Sequence, residues 1–196
     1  MAQANKDEII LGSGHAYVVA ESQSVSLAGN ASLSTVKTFI STYAVSANLI
    51  GHIKSGATLN YSKTTYTEKD DYGEVTKTIA TDETVSLAFG LIDYKTGLLD
   101  KLISTADTTN DSTSGAELTV LGGIANDDGA KYYVIFKHED AGDSDLYVIV
   151  RGTNIANLAA AFAPGAGTNW ATEWKAEPFD TSGRLAFILR EDHPST

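Results

Sequence analysis

The stretch Leu49–Tyr61 has the sequence LIGHIKSGATLNY, in which apolar and polar side chains alternate. Its odd positions are apolar or small, and its even positions after Ile50 are mostly polar. A period of two residues is typical of a β-strand that buries one face. Gly51 and Gly56 interrupt the pattern, which predicts a bulge or bend. The stretch therefore predicts a long, half-buried strand.

Other segments repeat the same signal. Alternation returns at Val75–Ile79 and, more regularly, at Val85–Phe89. Lys131–His138 and Leu146–Val150 are apolar on both faces, which predicts two central strands. The acidic turn Glu139–Ser144 is expected to join them into a hairpin.

Two further hairpins are predicted near the ends of the chain. Glu8–Leu11 is expected to pair with Ala16–Ala20 across a turn that contains two glycines. Trp170–Ala176 is expected to pair with Leu185–Leu189 in the same way.

Helices are predicted in only three segments, Ser34–Ala44, Tyr94–Ile103 and Asn154–Phe162, each with a short apolar stripe. Thr65–Tyr72 and Thr105–Gly115 are rich in polar residues and are predicted to be loops. The predicted fold is mainly β, an antiparallel β-sandwich or barrel with one or two short helices.

Composition bounds the class of protein. A chain of 196 residues with 42% hydrophobic and 20% charged residues predicts one domain, residues 1–196, with long loops near 61–76 and 105–116. The sequence has no cysteine, which excludes disulfide scaffolds, thiolate zinc sites, iron–sulfur clusters and cysteine nucleophiles.

The net charge is −11, from 25 acidic and 14 basic residues. Tight nucleic-acid binding requires Lys and Arg to displace phosphate counterions, and no basic stripe exists. The acidity serves either solubility or the repulsion of polyanions, and charge alone does not separate the two. No secretory signal and no apolar run of membrane-spanning length is found, so no membrane contact is expected.

A search for catalytic chemistry predicts none, so we expect neither an enzyme, a metal site nor a cofactor. The four histidines are far apart, and no zinc, phosphate-loop or nucleophile-elbow motif is present. The acids at Asp127–Gly129 and Asp140–Asp145 do not follow the calcium-loop pattern and are interpreted as hairpin tips. Trp170 and Trp174 are expected to share one face of a strand. This face either packs in the core or an interface, or forms a platform that binds sugar.

Several segments carry a resemblance to a known family. They are Asn48–Tyr61, Tyr66–Val75, Lys77–Ile79, Glu83–Gly90 and the C-terminal stretch Trp174–Leu185, and they resemble the major tail tube proteins of long-tailed, siphovirus-type bacteriophages of Gram-positive bacteria. The specific part of the match covers about Asn48–Asp100. The resemblance implies a β-sandwich that joins neighbouring copies into hexameric rings, which stack into the tube through which the genome leaves the virion.

The resemblance also implies partners and a location. The chain is expected to bind its own copies, the tail completion and baseplate-side proteins and the tape measure protein, while DNA passes without specific binding. It would lie in the virion tail, and in the host cytoplasm during assembly. A loop near 61–76 would reach another subunit through Glu68, Lys69, Asp70, Asp71 and Tyr72. One acidic hairpin is hypothesised to face the channel through Glu139, Asp140, Asp143 and Asp145.

Two alternatives stay open beside this interpretation. Another virion component (a capsid decoration protein, a tail terminator or a contractile-type inner tube) would share the fold class. A carbohydrate-binding module would use Trp170 and Trp174, and would require both indoles to be exposed. A hydrolase ranks last, because no triad or metal signature is present.

Overall fold

A computed structural model of the protein describes residues 14–72, 74, 76–127, 129–139, 144–159 and 168–192. The chain is mainly β, with 53% strand and 15% helix. The strands are β1 Gly14–Ala20, β2 Leu49–Lys69, β3 Thr76–Leu91, β4 Asp107–Asp111, β5 Ala116–Val120, β6 Tyr132–Glu139, β7 Ser144–Asn154, β8 Trp170–Ala176 and β9 Ala186–Asp192. The α-helices are α1 Leu33–Tyr43 and α2 Leu98–Leu102, and single 3₁₀ turns occupy Glu21–Gln23, Ser46–Asn48 and Ile124–Asn126.

Six antiparallel strands close into a barrel. The hydrogen-bonded order is β6-β1-β2-β3-β8-β7, and β7 also pairs with β6, which completes the ring. One edge of β7 pairs with β6. Its other edge pairs with β9 along residues 144–150 and with β8 from Gly152 to Asn154. The predicted mainly-β antiparallel fold with few short helices is therefore confirmed.

The barrel interior forms one hydrophobic core. Its buried side chains come from every strand of the ring and from α2, and they include Val18, Ile53, Leu87, Leu98, Val134, Val150 and Trp174. A second core lies outside the barrel wall, beneath α1, and includes Val36, Phe39, Ile40, Tyr133, Ile135 and Ile149. β6 sends alternate side chains into the two cores, which explains why the sequence there is apolar on both faces.

Helix α1 confirms the helix predicted at Ser34–Ala44 to within one residue at each end. The Ser32 hydroxyl caps it by accepting the Thr35 N–H at 3.3 Å. Val36, Phe39 and Ile40 are the buried residues, at the i, i+3, i+4 spacing of one helix face.

The other two predicted helices are wrong in extent or type. Only Leu98–Leu102 of Tyr94–Ile103 is α-helical, because Gly97 precedes it in a left-handed conformation with φ of 72°. Asn154 of Asn154–Phe162 ends β7 instead of starting a helix. Its side-chain amide donates to the Leu102 carbonyl and accepts the Glu173 N–H, both at 2.8 Å, which holds it in the sheet. Residues 155–159 form no helix, and 160–162 lie outside the described residues.

The predicted C-terminal hairpin is wrong, and the predicted N-terminal hairpin involves residues outside the described part of the chain. β8 and β9 do not pair with each other, since both pair with successive segments of β7. β8 buries its tryptophans in the barrel, whereas Phe187 and Leu189 of β9 pack against the outer core. β1 pairs with β2 and β6, and its expected partner Glu8–Leu11 lies outside the described residues.

The two predicted loops contain strand. Residues 65–69 continue β2 and pair with β3, and residues 107–111 form β4, which pairs with β5 in a separate two-stranded sheet. These segments have no buried apolar face, so their composition is that of loops. The predicted bulge in β2 is confirmed at Ser55 and Gly56, where φ is 66° and 77° and the register shifts. The turn between β6 and β7, residues 140–143, lies outside the described residues.

Candidate assembly interface

The hairpin of β2 and β3 continues far beyond the barrel. Every described residue from Tyr61 to Thr84 is exposed, although 61–69 and 76–84 are paired as strands. We call residues 61–84 the arm. At about 3.3 Å per residue, nine residues of paired strand extend roughly 30 Å.

Cross-strand pairs explain why this polar segment forms strands. Tyr66 lies opposite Ile79, and Thr67 opposite Thr78, with a distance of 2.9 Å between the two hydroxyl oxygens. Glu68 lies opposite Lys77, so opposite charges face each other. Aromatic–β-branched, Thr–Thr and opposite-charge pairs each stabilise an antiparallel pair by about 0.2–1 kcal/mol.

The arm presents features that normally require a partner. A single two-stranded hairpin is only marginally stable in water, and its outer edges leave backbone groups unpaired. The arm also exposes large apolar side chains, with 61% of Tyr61, 53% of Tyr66 and 46% of Ile79 accessible. Exposed apolar surface on a free edge is typical of a protein–protein contact.

The five residues predicted to contact another subunit lie together at the end of the arm. Glu68 and Lys69 end β2, and Asp70, Asp71 and Tyr72 follow in the turn. Tyr72 is 89% exposed. The apolar side chains behind them, Tyr66 and Ile79, were not predicted as contact residues, although Ile79 lies in the alternating segment Val75–Ile79.

The acids predicted to face a channel lie in different environments. Glu139 ends β6, and Asp145 lies directly opposite it on β7. The Lys137 ammonium forms ion pairs with both, at 3.3 Å from Asp145 Oδ2. Asp145 is buried with 7% of its surface exposed, while Glu139 is exposed. Asp140 and Asp143 lie outside the described residues.

Electrostatics favour this ion pair. Burial opposes the charged form of Lys137, but hydrogen bonds to Glu139 and Asp145 and Coulombic attraction to the Tyr147 phenol group and Asp145 outweigh it and raise the pKa of Lys137 above its usual 10.5. The ammonium also lies 5.5 Å from the centre of the Tyr147 ring. One lysine therefore serves two carboxylates, the buried one of Asp145 and the exposed one of Glu139.

Both tryptophans belong to the core. Trp170 is 7% exposed and Trp174 is fully buried. Tyr94 packs against Trp170 with ring centres 5.7 Å apart, and Tyr132 contacts Trp174 edge to face at 5.8 Å. A sugar platform built from these two indoles is excluded, because neither face is open to a ligand.

Few chemically reactive groups come together elsewhere. His52 Nδ1 lies 2.8 Å from Asp93 Oδ2, and the His52 backbone N–H donates to Asp93 Oδ1 at 2.6 Å. Burial raises the pKa of Asp93, but the hydrogen bonds and charge of His52 outweigh it, so the net pKa is lowered. In the part of the chain that the structure describes, no three acidic or histidine side chains are grouped to hold a metal ion.

A surface groove of about 300 Å³ lies between α1 and the preceding segment. It is lined by Val25, Ser26, Leu27, Ser34, Thr35, Thr38, Phe39, Thr42 and Tyr43. These groups are apolar or hydroxylic, and they offer neither a base nor a metal ligand set.

Neither the known protein-family models nor the curated protein sequences include a match to this chain. Across the described residues, no helix is both long and apolar enough to cross a membrane.

Proposed function

We propose that this chain is a structural virion protein that self-assembles into stacked hexameric rings and forms the tail tube of a long-tailed phage. The observation that carries the proposal is the arm, about 30 Å of paired strand with both faces exposed. The resemblance of Asn48–Tyr61 and Tyr66–Val75 to tail tube proteins falls on the same hairpin.

The barrel does not need the arm for its own core. Its interior is filled by residues up to Leu59 on β2 and from Val85 on β3. The arm therefore adds exposed apolar area to a core that is already complete. A contact with a second copy would remove that area from water, and a head-to-tail contact of this kind closes into rings or propagates as a filament.

The negative charge supports a channel for DNA. A lumen without free cations offers phosphates no counterion exchange, so the genome slides instead of binding. Lys137 pairs with both Glu139 and Asp145, but Asp145 is buried and Glu139 is exposed, so we propose that Glu139, Asp140 and Asp143 line the channel. Replacing these three with Lys should slow genome ejection while tubes still form, and unchanged ejection would remove this hairpin from the lumen.

The primary test is electron microscopy of the concentrated, purified chain across a salt series. Stacked rings or hollow tubes are expected. The matched variant replaces residues 66–79 with Asn-Gly, which joins Thr65 and Ala80 by a two-residue turn. It should keep the barrel fold, by circular dichroism and denaturation, and lose assembly.

The possible outcomes distinguish the proposed function from its alternatives. Assembly of the full chain and its loss in the variant support the proposal. Equal assembly of both would show that residues 66–79 of the arm do not carry it. Isolated rings or trimers would favour a tail terminator or a capsid decoration protein. Monomers of the full chain at every concentration and salt would reject autonomous self-assembly.

A further inference from the structure

The two-stranded sheet of β4 and β5 turns a polar face toward the body of the protein and an apolar row toward solvent. We call residues 107–120 the flap. On β5, Glu117 and Thr119 are half-buried, whereas Leu118 and Val120 are 65% and 57% exposed. A sheet that covers a core normally buries its apolar face and exposes its polar one. The flap does the opposite.

Polar contacts explain how the inner face is held. The Glu117 carboxylate accepts hydrogen bonds from the Tyr94 hydroxyl and from the Gly97 N–H, the latter at 2.6 Å. The Thr108 and Thr119 hydroxyls lie 2.9 Å apart on the same face. The flap is therefore fixed to the body by its polar side, which leaves its apolar side directed outward.

The outward side has an apolar row of side chains along β5 and a polar row, with an aspartate at each end, along β4. Leu118 lies opposite Thr109, Val120 opposite Asp107, and Ala116 opposite Asp111, so these six side chains share one face. The apolar surface continues after β5, where Leu121 is 53% and Ile124 is 92% exposed. Four large aliphatic side chains exposed within seven residues are typical of a docking surface.

We infer that the outward face of the flap receives the arm of a second copy of this chain. The inference rests on the proposed self-assembly and assigns its acceptor surface. The docking side of the arm is the one that carries Tyr61, Lys63 and Lys69, called here the lysine face.

The charges favour the arm of a second copy as the partner of the flap, and they favour the lysine face as the side of the arm that docks. The register places Tyr61, Lys63 and Lys69 on one side of β2, together with Glu83, which accepts the Tyr61 hydroxyl at 3.1 Å. Neither lysine forms an ion pair with a described residue.

The two sides of the arm differ in charge sign. The lysine face has two lysines and one glutamate, whereas the opposite face has Glu68 and Asp82 with Lys77. With Tyr61 covering Leu118 and Val120, Lys63 lies two residues along the same face of the arm and would meet Asp107, which lies opposite Val120 on the flap. A contact between two different surfaces of identical chains repeats from copy to copy, as an assembly requires.

Cysteine cross-linking tests the contact cleanly, because the chain has no cysteine of its own. Tyr61→Cys and Leu118→Cys variants are made separately, mixed under assembly conditions, and treated with diamide. Ser62→Cys, one residue away on the opposite face of the arm, is the matched control. Assembly is monitored in parallel by sedimentation and electron microscopy, and the fold of each variant by denaturation.

We expect disulfide-linked dimers from the Tyr61→Cys and Leu118→Cys mixture, several-fold above the Ser62→Cys and Leu118→Cys mixture. Assemblies that form without this cross-link would overturn the inference and leave the proposed function standing. Cross-linking of Leu118→Cys alone would show that two flaps meet, and a stronger Ser62→Cys signal would show that the other arm face docks. Both results would also overturn it. A full chain that stays monomeric throughout would overturn the inference and the proposed self-assembly together.

Discussion

Tyr66 and Ile79 lie directly opposite each other on the arm, at a position where both side chains are about half exposed. An aromatic ring against a β-branched side chain is a favourable cross-strand pair, even where no core lies beneath it. The pair keeps the two strands of the arm together at the point where the register shifts beyond Thr64. We interpret it as the element that keeps the arm extended in the free subunit.

Replacing this pair should therefore affect assembly more than folding. The variant Tyr66→Ser/Ile79→Thr is expected to lose at most about 1 kcal/mol of unfolding free energy, because both residues are exposed. Backbone amides at 66–79 should exchange faster, and assembly measured by sedimentation should weaken. The Thr67→Ser/Thr78→Ser variant is the control on the opposite face. Unchanged exchange and assembly would contradict a stiffening role.

The ion pair of Lys137 and Asp145 should be important for stability. Lys137→Met leaves the carboxylate of Asp145 buried without its cation, and we expect a loss of about 3 kcal/mol of unfolding free energy. The double variant Lys137→Met/Asp145→Leu removes both charges and should recover most of that loss. Guanidinium denaturation measures each variant. Equal destabilisation of the single and double variants would show that packing, not an unpaired charge, is responsible.

The contact of His52 with Asp93 predicts that the unfolding free energy depends on pH in the acidic range. The folded-state pKa of Asp93 lies below its ordinary value of 3.8, so the carboxylate stabilises the fold above that pH and loses its effect as the pH falls through the folded-state value. Asp93→Asn should reduce the unfolding free energy by about 1 kcal/mol at pH 7, since the site is partly solvated.

The difference between Asp93→Asn and the unsubstituted chain should shrink as denaturation is repeated at progressively lower pH below 3.8. Asp82→Asn, which changes an exposed carboxylate of the arm, is the control and should differ little at any pH. A difference that stays constant from pH 7 downward would rule out a contribution linked to the charge of Asp93.

Gly152 marks the point where β7 changes its partner from β9 to β8. A Cβ at this position would collide with the backbone carbonyl of Lys175 on β8. Gly152→Ala should therefore separate the strands that close the barrel and lower the unfolding free energy by about 1–3 kcal/mol. Thr153→Ala, at the neighbouring position, removes atoms and should be milder. Equal thermal and denaturant stability of Gly152→Ala and the unsubstituted chain would refute close contact at this junction.

Local periodicity was sufficient to predict an element where its apolar side chains are buried in a core. Val36, Ile40 and Tyr43 predicted α1 because their spacing is that of one helix face, and the double-sided apolar pattern of β6 predicted a central strand. Thr65–Tyr72 in the arm and Thr105–Gly115, which includes β4 of the flap, were predicted to be loops, because the pairing that makes strands there is between polar, exposed residues. A signal for the flap was nevertheless present in the sequence, since polar and apolar residues alternate at Glu117, Leu118, Thr119 and Val120. Such alternation indicates a strand but does not show which of its faces is buried.

The sequence alone determined the strand-rich class of the fold, the position of α1 and the absence of cysteine chemistry, because each depends on composition or on contacts within a few residues. Tertiary structure decided that β8 and β9 both pair with β7, that Asp145 is buried against Lys137, and that Leu118 faces outward. The reason is physical. Strand pairing, burial and ion pairing depend on residues distant in the chain, and a period of two residues specifies that a strand has two faces but not what each face meets.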